Sequence, residues 1–271
     1  MSTFTINSKT MHYLDKGQGP VLLFGHSYLW DSEMWTPQIE ILSQHYRCIV
    51  PDLWSHGQSD AAPGETQNLT DYAQDLLSLM DHLEIETFSI IGLSVGGMWG
   101  AELTLLAPAR VKALVLMDTF IGLEPQVTHH KYSAMLDMIS AAQLVPEPLI
   151  EQIRPLFFAR DVEQENPELV SRFKKGLQGI RGQKAVDLAQ VGRMVFGRRD
   201  LFDEVEKLTL PTLIMTGMQD IPRPPLEAQL MQDAISGSRL ILVPDAGHIS
   251  NLEQPEFVIE KLSDFLNSVY A

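Results

Sequence analysis

Apolar runs of four or five residues, rich in Val, Ile and Leu, alternate along this chain with longer stretches whose apolar positions recur every third or fourth residue. Such runs predict strands buried on both faces, and the longer period predicts amphipathic helices. A hairpin is expected over residues 4–7 and 11–14. Strands follow at 21–24, 48–50, 88–91, 113–117, 212–215 and 239–243, each closed by Gly, Pro or Asp. Between them, Thr70 to Leu83 sets Tyr72, Leu76, Leu79, Met80 and Leu83 on one stripe, and Val95 to Leu106 follows the fifth strand. Pro255 to Tyr270 closes the chain with Phe257, Val258, Leu262, Phe265 and Leu266 facing inward. The order strand, helix, strand predicts an α/β fold, a mostly parallel sheet with helices on both faces.

Residues 122–200 break this alternation. They read as several helices interrupted by Pro125, Pro146, Pro148, Pro155 and Pro167, with no convincing strand. Charge changes there too: residues 121–200 hold 11 of the 20 basic and 10 of the 35 acidic side chains, so this segment is near neutral in a chain of net charge −15. The expected organisation is a core domain formed by 1–121 and 201–271, with a helical lid inserted at 122–200. A chain of 271 residues with 45% hydrophobic content can bury one such core.

The acidity argues against nucleic acid as a partner, because a phosphate backbone needs clustered Lys and Arg. No stretch approaches the roughly eighteen apolar residues of a membrane span, and residues 1–20 do not read as an export signal. The one cysteine, Cys48, lies in a predicted strand and cannot form an internal disulfide. A cytoplasmic location is expected, and a homodimer is allowed for.

The chemistry centres on Gly92-Leu93-Ser94-Val95-Gly96. This G-x-S-x-G falls where a predicted strand turns into a predicted helix, the context of a nucleophile elbow that exposes the Ser94 hydroxyl at its tip. A serine hydroxyl is a weak nucleophile, so it needs a base and a group that orients the base. His248, just past the last strand, is the candidate base, and Asp220, just past the preceding strand, the candidate orienting acid. Asp118, at the end of the strand 113–117, is the rival acid; Asp220 is preferred because its loop directly precedes the histidine strand. Acyl transfer also needs donors for a developing oxyanion. They are expected from the backbone N–H groups of Val95 and, in the loop Gly25-His26-Ser27-Tyr28, of Tyr28. His26 is expected to brace that loop.

With these pieces in place, the chain resembles the α/β-hydrolase superfamily over nearly its whole length. Gly25-His26-Ser27-Tyr28, Asp31-Ser32-x-x-Trp35, Pro51 to Asp60, the elbow, Gly217-x-x-Asp220 and Gly247-His248 carry the resemblance. The tail Ala246 to Pro255 is most similar to the cofactor-free haloperoxidase, esterase and enol-lactonase branch. Ser27 and Ser55 depart from the glycines usual in relatives, and Trp54 stands where many have arginine. The resemblance implies a carboxylesterase-type enzyme acting on a small-molecule ester or lactone. Lactone opening and carbon–carbon bond hydrolysis share the same residues, and a ligand receptor built on the fold is the reading from outside enzymology. No metal or cofactor is implied, since neither paired His and Cys ligands nor a dinucleotide fingerprint occurs. A mainly apolar substrate pocket is expected, with Trp30, Met98, Met135, Leu144, Phe157, Phe158, Met194 and Phe196 as candidate lining residues.

Overall fold

A computed structural model describes residues 2–271. Eight strands form one sheet in the order β1-β2-β4-β3-β5-β6-β7-β8. They are β1 (Ser2–Ile6), β2 (Lys9–Lys16), β3 (Val21–Gly25), β4 (Arg47–Pro51), β5 (Phe88–Leu93), β6 (Val111–Met117), β7 (Thr212–Gly217) and β8 (Arg239–Val243). β2 runs antiparallel to both β1 and β4, and every other pairing is parallel. The helices are α1 (Thr36–Leu42), α2 (Leu69–His82), α3 (Val95–Leu106), α4 (Gln126–Ala142), α5 (Glu147–Phe157), α6 (Val162–Glu165), α7 (Pro167–Gly179), α8 (Gln183–Phe196), α9 (Pro225–Ala234), α10 (Ser250–Glu253) and α11 (Pro255–Tyr270).

Every residue of β5 and of β7 is buried, as strands covered on both faces require. Each fully buried Leu, Ile or Phe side chain there stabilises the fold by about 1.5–3 kcal/mol. The helical stripes dock as their spacing predicts. α2 buries Tyr72, Ala73, Leu76, Leu79 and Met80, and Asn68 caps it by accepting from the N–H groups of Thr70 and Asp71, a contact worth about 1 kcal/mol. α11 buries Val258, Leu262, Phe265 and Leu266. Phe257 is only half-buried, with the Lys261 ammonium 5.3 Å from its ring centre. Cys48 is free and fully buried in β4, where burial pushes its thiol up to about 12.

Five helices, α4 to α8, occupy the stretch between β6 and β7. Four of the five prolines there act at helix starts: Pro125 and Pro146 precede α4 and α5, Pro148 lies in the first turn of α5, and Pro167 opens α7. Pro155 does not break α5 as its sequence position predicts: it lies in the last turn, where its missing N–H forgoes one bond to the preceding turn and the helix ends two residues later at Phe157. Helices α1 and α9 are short, seven and ten residues, and span too few turns to show a clear period.

This topology selects the place where a ligand can sit. The chain leaves β3 for β4 on one side and then returns to β5 on the other, so neighbouring β3 and β5 send their following loops in opposite directions. A crevice opens outside the carboxyl ends of strands at such a switch point. The loop Gly25–Tyr28 and the turn at Ser94 form its floor.

Candidate active site

The turn between β5 and α3 holds a non-glycine residue at positive φ. Ser94 has φ 56° and ψ −117°, a left-handed conformation that an L-residue adopts only under constraint. The constraint comes from close packing: a Cβ on Gly92 would lie 2.2 Å from the Gly96 carbonyl oxygen, and one on Gly96 would lie 2.2 Å from the Gly25 carbonyl oxygen. The end of β6 braces the same turn, with Ser94 N–H donating to Met117 O at 2.8 Å and Thr119 Oγ1 donating to Ser94 O at 2.6 Å.

Opposite this turn, the loop after β8 presents His248. Ser94 Oγ lies 3.0 Å from His248 Nε2, and His248 Nδ1 lies 2.9 Å from Asp220 Oδ2. A carboxylate only accepts, so Nδ1 carries the proton and Nε2 is left to accept from the serine hydroxyl. Asp220 is held in turn, its Oδ1 accepting from the Arg223 N–H at 2.9 Å. All three side chains belong to buried residues. Asp118 is not in this chain of bonds. Its Oδ1 accepts from Gly217 N–H at 2.7 Å and its Oδ2 from Ser250 Oγ at 2.5 Å.

The two backbone groups singled out from the sequence belong to the turn at Ser94 and to the loop after β3. Val95 opens α3, where the first N–H groups have no acceptor within the helix. In the loop after β3, Ser27 N–H is taken by Met34 Sδ at 3.3 Å and Leu29 N–H by His56 Nε2 at 3.1 Å, which leaves the intervening Tyr28 N–H without a partner among the described residues. The Tyr28 side chain reaches away, donating to Leu188 O of α8 at 2.9 Å. His26 braces the loop: its Nδ1 donates to Ser27 O at 2.8 Å and its Nε2 accepts from Leu53 N–H at 2.8 Å. Burial lowers its pKa, as befits an imidazole that must stay neutral to accept that bond.

A cleft with an almost wholly apolar wall lies over Ser94 and His248. Of the eight candidate lining residues, Met98, Met135, Phe157 and Phe196 do line it. Trp30, Leu144, Phe158 and Met194 do not, and these four assignments are corrected. Leu29, at φ 69°, turns the chain so that Trp30 stacks on Phe173 of α7 at 5.1 Å instead. Phe158 follows the end of α5 in extended backbone and meets Phe173 edge-on at 5.5 Å. Leu144 is engaged in an isolated bridge with Arg181, and Met194 is buried elsewhere in the helical layer.

The lining residues missed from the sequence include Tyr132, Leu136 and Ile139, which with Met135 form one face of α4, and Ile153 and Leu156, which with Phe157 form one face of α5. Their three- and four-residue spacing was the signal that could have found them. Pro222 and Arg223, beyond Asp220, complete the wall. Among the described residues no group of three or more His, Cys, Asp or Glu side chains converges as metal ligands, and no helix is long and apolar enough to cross a membrane.

A sequence model of the α/β-hydrolase fold matches residues 20–255. The chain belongs to the α/β-hydrolase family. Among its relatives, 3-oxoadipate enol-lactonase 1 of Acinetobacter baylyi is 27% identical over 250 residues, which cover 92% of this chain and 90% of that protein. Carboxylesterase YbfK of Bacillus subtilis is 26% identical over 251 residues, covering 91% and 80%. Among solved structures, a thermophilic esterase from Thermogutta terrifontis superposes with a TM-score of 0.88 at 27% identity, over 97% of this chain and 95% of that one. In this α/β hydrolase, the cleft is reached by the loops that follow β3, β5, β7 and β8 at the carboxyl ends of those strands.

Proposed function

We propose that this chain is a serine hydrolase that cleaves a carboxylic ester of a small or medium apolar substrate through an acyl-enzyme. One observation carries the reading: Asp220, His248 and Ser94 form an unbroken hydrogen-bonded chain at 2.9 and 3.0 Å on the floor of an apolar cleft. As Ser94 Oγ attacks the carbonyl carbon, His248 Nε2 takes its proton, and Asp220 stabilises the resulting imidazolium. The carbonyl oxygen gains negative charge beside the N–H groups of Tyr28 and Val95. Collapse of the tetrahedral species expels the alcohol, which takes the proton from Nε2. Water, deprotonated by the same nitrogen, then attacks the acyl carbon and frees Ser94. The segment 122–200 serves as a lid whose helices α4, α5 and α8 supply the apolar wall, and the buried free thiol of Cys48 accords with a cytoplasmic location.

The opening of a lactone uses the same steps, with the leaving alcohol still tethered to the acyl group, and the enol-lactonase relative favours it as the second reading. A fluorophosphonate should label the protein at Ser94 alone, and p-nitrophenyl butyrate should be turned over repeatedly. Labelling that persists in Ser94→Ala, or a single turnover that leaves a modified protein, would sink the proposal; the latter outcome is that of a receptor.

A further inference from the structure

The steps above use one side of the loop after β7. Its other side belongs to a buried charge cluster. Glu124, where the chain enters α4, and Arg198, just after it leaves α8, meet Arg223, three residues beyond Asp220. Glu124 Oε2 accepts from Arg223 Nη2 at 2.5 Å and from Arg198 Nη1 at 3.0 Å, while its Oε1 accepts from Thr128 Oγ1 at 2.8 Å. Glu227 Oε2 lies 3.3 Å from Arg223 Nη1. Two guanidinium groups thus face two carboxylates, and of the four only Arg223 lines the cleft that holds Ser94 and His248.

A lone guanidinium in an apolar wall would be a receptor for a carboxylate, because its fork of donors matches two carboxylate oxygens and little water competes. Here Arg223 already donates from Nη2 to Glu124 and from Nη1 to Glu227, so its charge is met from within the protein. Burial opposes the charge on Glu124, but Arg223 and Arg198 outweigh it and hold the Glu124 carboxyl below its ordinary value, so the partner stays ionised. A substrate carboxylate entering this end of the cleft would have to shed its water and find no uncompensated cation.

We infer that Glu124, with Glu227 in support, sets the substrate class of the cleft by neutralising Arg223, so that the site selects uncharged esters and rejects those carrying a carboxylate on the part that reaches the loop after β7. This inference rests on the ester-hydrolase reading. It makes Glu124 a specificity-determining residue that acts through Arg223 without reaching the cleft itself.

The test uses two matched substrates, p-nitrophenyl hexanoate and the mono-p-nitrophenyl ester of adipic acid, which differ by a terminal methyl against a carboxylate. The wild type should favour the hexanoate in kcat/KM by at least ~100-fold. In Glu124→Gln that ratio should fall at least about tenfold, and in Glu227→Gln, a weaker and less buried partner, roughly threefold. A clasp that only held the lid would lower both substrates alike. An unchanged ratio in both variants, or a wild type that prefers the adipate ester, would overturn the inference. If Glu124→Gln does not fold, the ratio in Glu227→Gln decides the matter alone. Binding of the two esters to Ser94→Ala, followed by calorimetry, separates this question from the reaction itself: a wild type that cleaves neither ester defeats the hydrolase reading, while the charge preference is still read from the inactive protein. Equal affinity there, with no change on adding Glu124→Gln, would count against the inference as well.

Discussion

The ends of β6 and β7 each carry a buried aspartate, and the two are used in opposite ways. Asp118, at the end of β6, turns both oxygens toward the protein, one to Gly217 N–H and one to Ser250 Oγ. Asp220, beyond β7, gives one oxygen to its own loop at Arg223 N–H and the other to the imidazole of His248. Burial first, and the charge of Asp220 second, push the Asp118 pKa well above the ordinary carboxyl value, against the pull of its two hydrogen bonds. Two neighbouring carboxyl groups in a medium of low dielectric oppose each other's ionisation, and of the two only Asp220 turns an oxygen to the imidazole. Position at a strand end therefore does not make an aspartate the orienting acid. What decides is which oxygens the surrounding loops leave uncommitted.

The largest effect that would break this contrast is kinetic. Asp220→Asn should lower kcat on p-nitrophenyl butyrate by about 10⁴, because an amide can no longer hold His248 with its Nε2 lone pair toward Ser94. Asp118→Asn should lower it by less than about tenfold, since an asparagine oxygen still accepts from Gly217 N–H and its amide can donate to Ser250 Oγ. Losses in the reverse order, measured with both variants folded by circular dichroism, would move the role of acid to Asp118.

A third carboxylate sharpens the comparison. Glu253 takes Gly247 N–H at 2.9 Å on one oxygen and Ala159 N–H at 2.8 Å on the other, joining the His248 loop to the helical segment after α5. The two chains press together there, since a Cβ on Gly247 would lie 2.5 Å from the Phe158 carbonyl carbon. Burial chiefly, with a smaller push from Asp220, raises the Glu253 pKa from 4.5 to about 7 despite those bonds. The folded chain therefore holds this proton more tightly than the unfolded chain. Its contribution to stability is fully present below pH 4.5 and is lost as pH rises through about 7. Glu253→Gln should remove up to about 3 kcal/mol of that decline between pH 4.5 and 7. Urea midpoints across this range are the measurement, and a slope equal to that of the wild type would rule Glu253 out as its source.

How far the sequence spoke for itself differs between these parts. Ser94, Asp220 and His248 each stand beyond the carboxyl end of a strand with small or turn residues beside them, so strand order brings them to one crevice; all eight strands were legible, with bounds displaced by up to two residues, as at β2, expected over 11–14 and found over Lys9–Lys16. The choice of Asp220 over Asp118 was legible only through loop order, because the bonds that occupy Asp118 come from Ser250 and Gly217, 132 and 99 residues away. The cleft wall was half legible. A single large apolar residue carries no direction of its own, and Trp30 and Phe158 pack on Phe173 of α7, where apolar contact was equally available. The stripes Tyr132, Met135, Leu136, Ile139 and Ile153, Leu156, Phe157 were visible as period, yet a period says which face of a helix is buried and not whether protein or substrate covers it. The cluster of Glu124, Arg198 and Arg223 carried no local signal at all, since its members lie 74 and 99 residues from Glu124 and meet only when the helical segment closes on the sheet.

The smallest effect tests the structural half of the contrast. Ser250→Ala removes the donor to Asp118 Oδ2 and leaves a fully buried carboxyl with one backbone partner. A buried acceptor that loses its partner costs about 1–3 kcal/mol, which in a chain of this size lowers Tm by roughly 2–4 °C per kcal/mol. The carboxyl oxygens facing His248 are those of Asp220, so kcat should change by no more than about threefold. Differential scanning calorimetry beside steady-state kinetics reads both quantities on one preparation. A variant as stable as the wild type but slowed a hundredfold would mean that the Ser250–Asp118 pair serves the reaction, and that the two aspartates share the work assigned here to one.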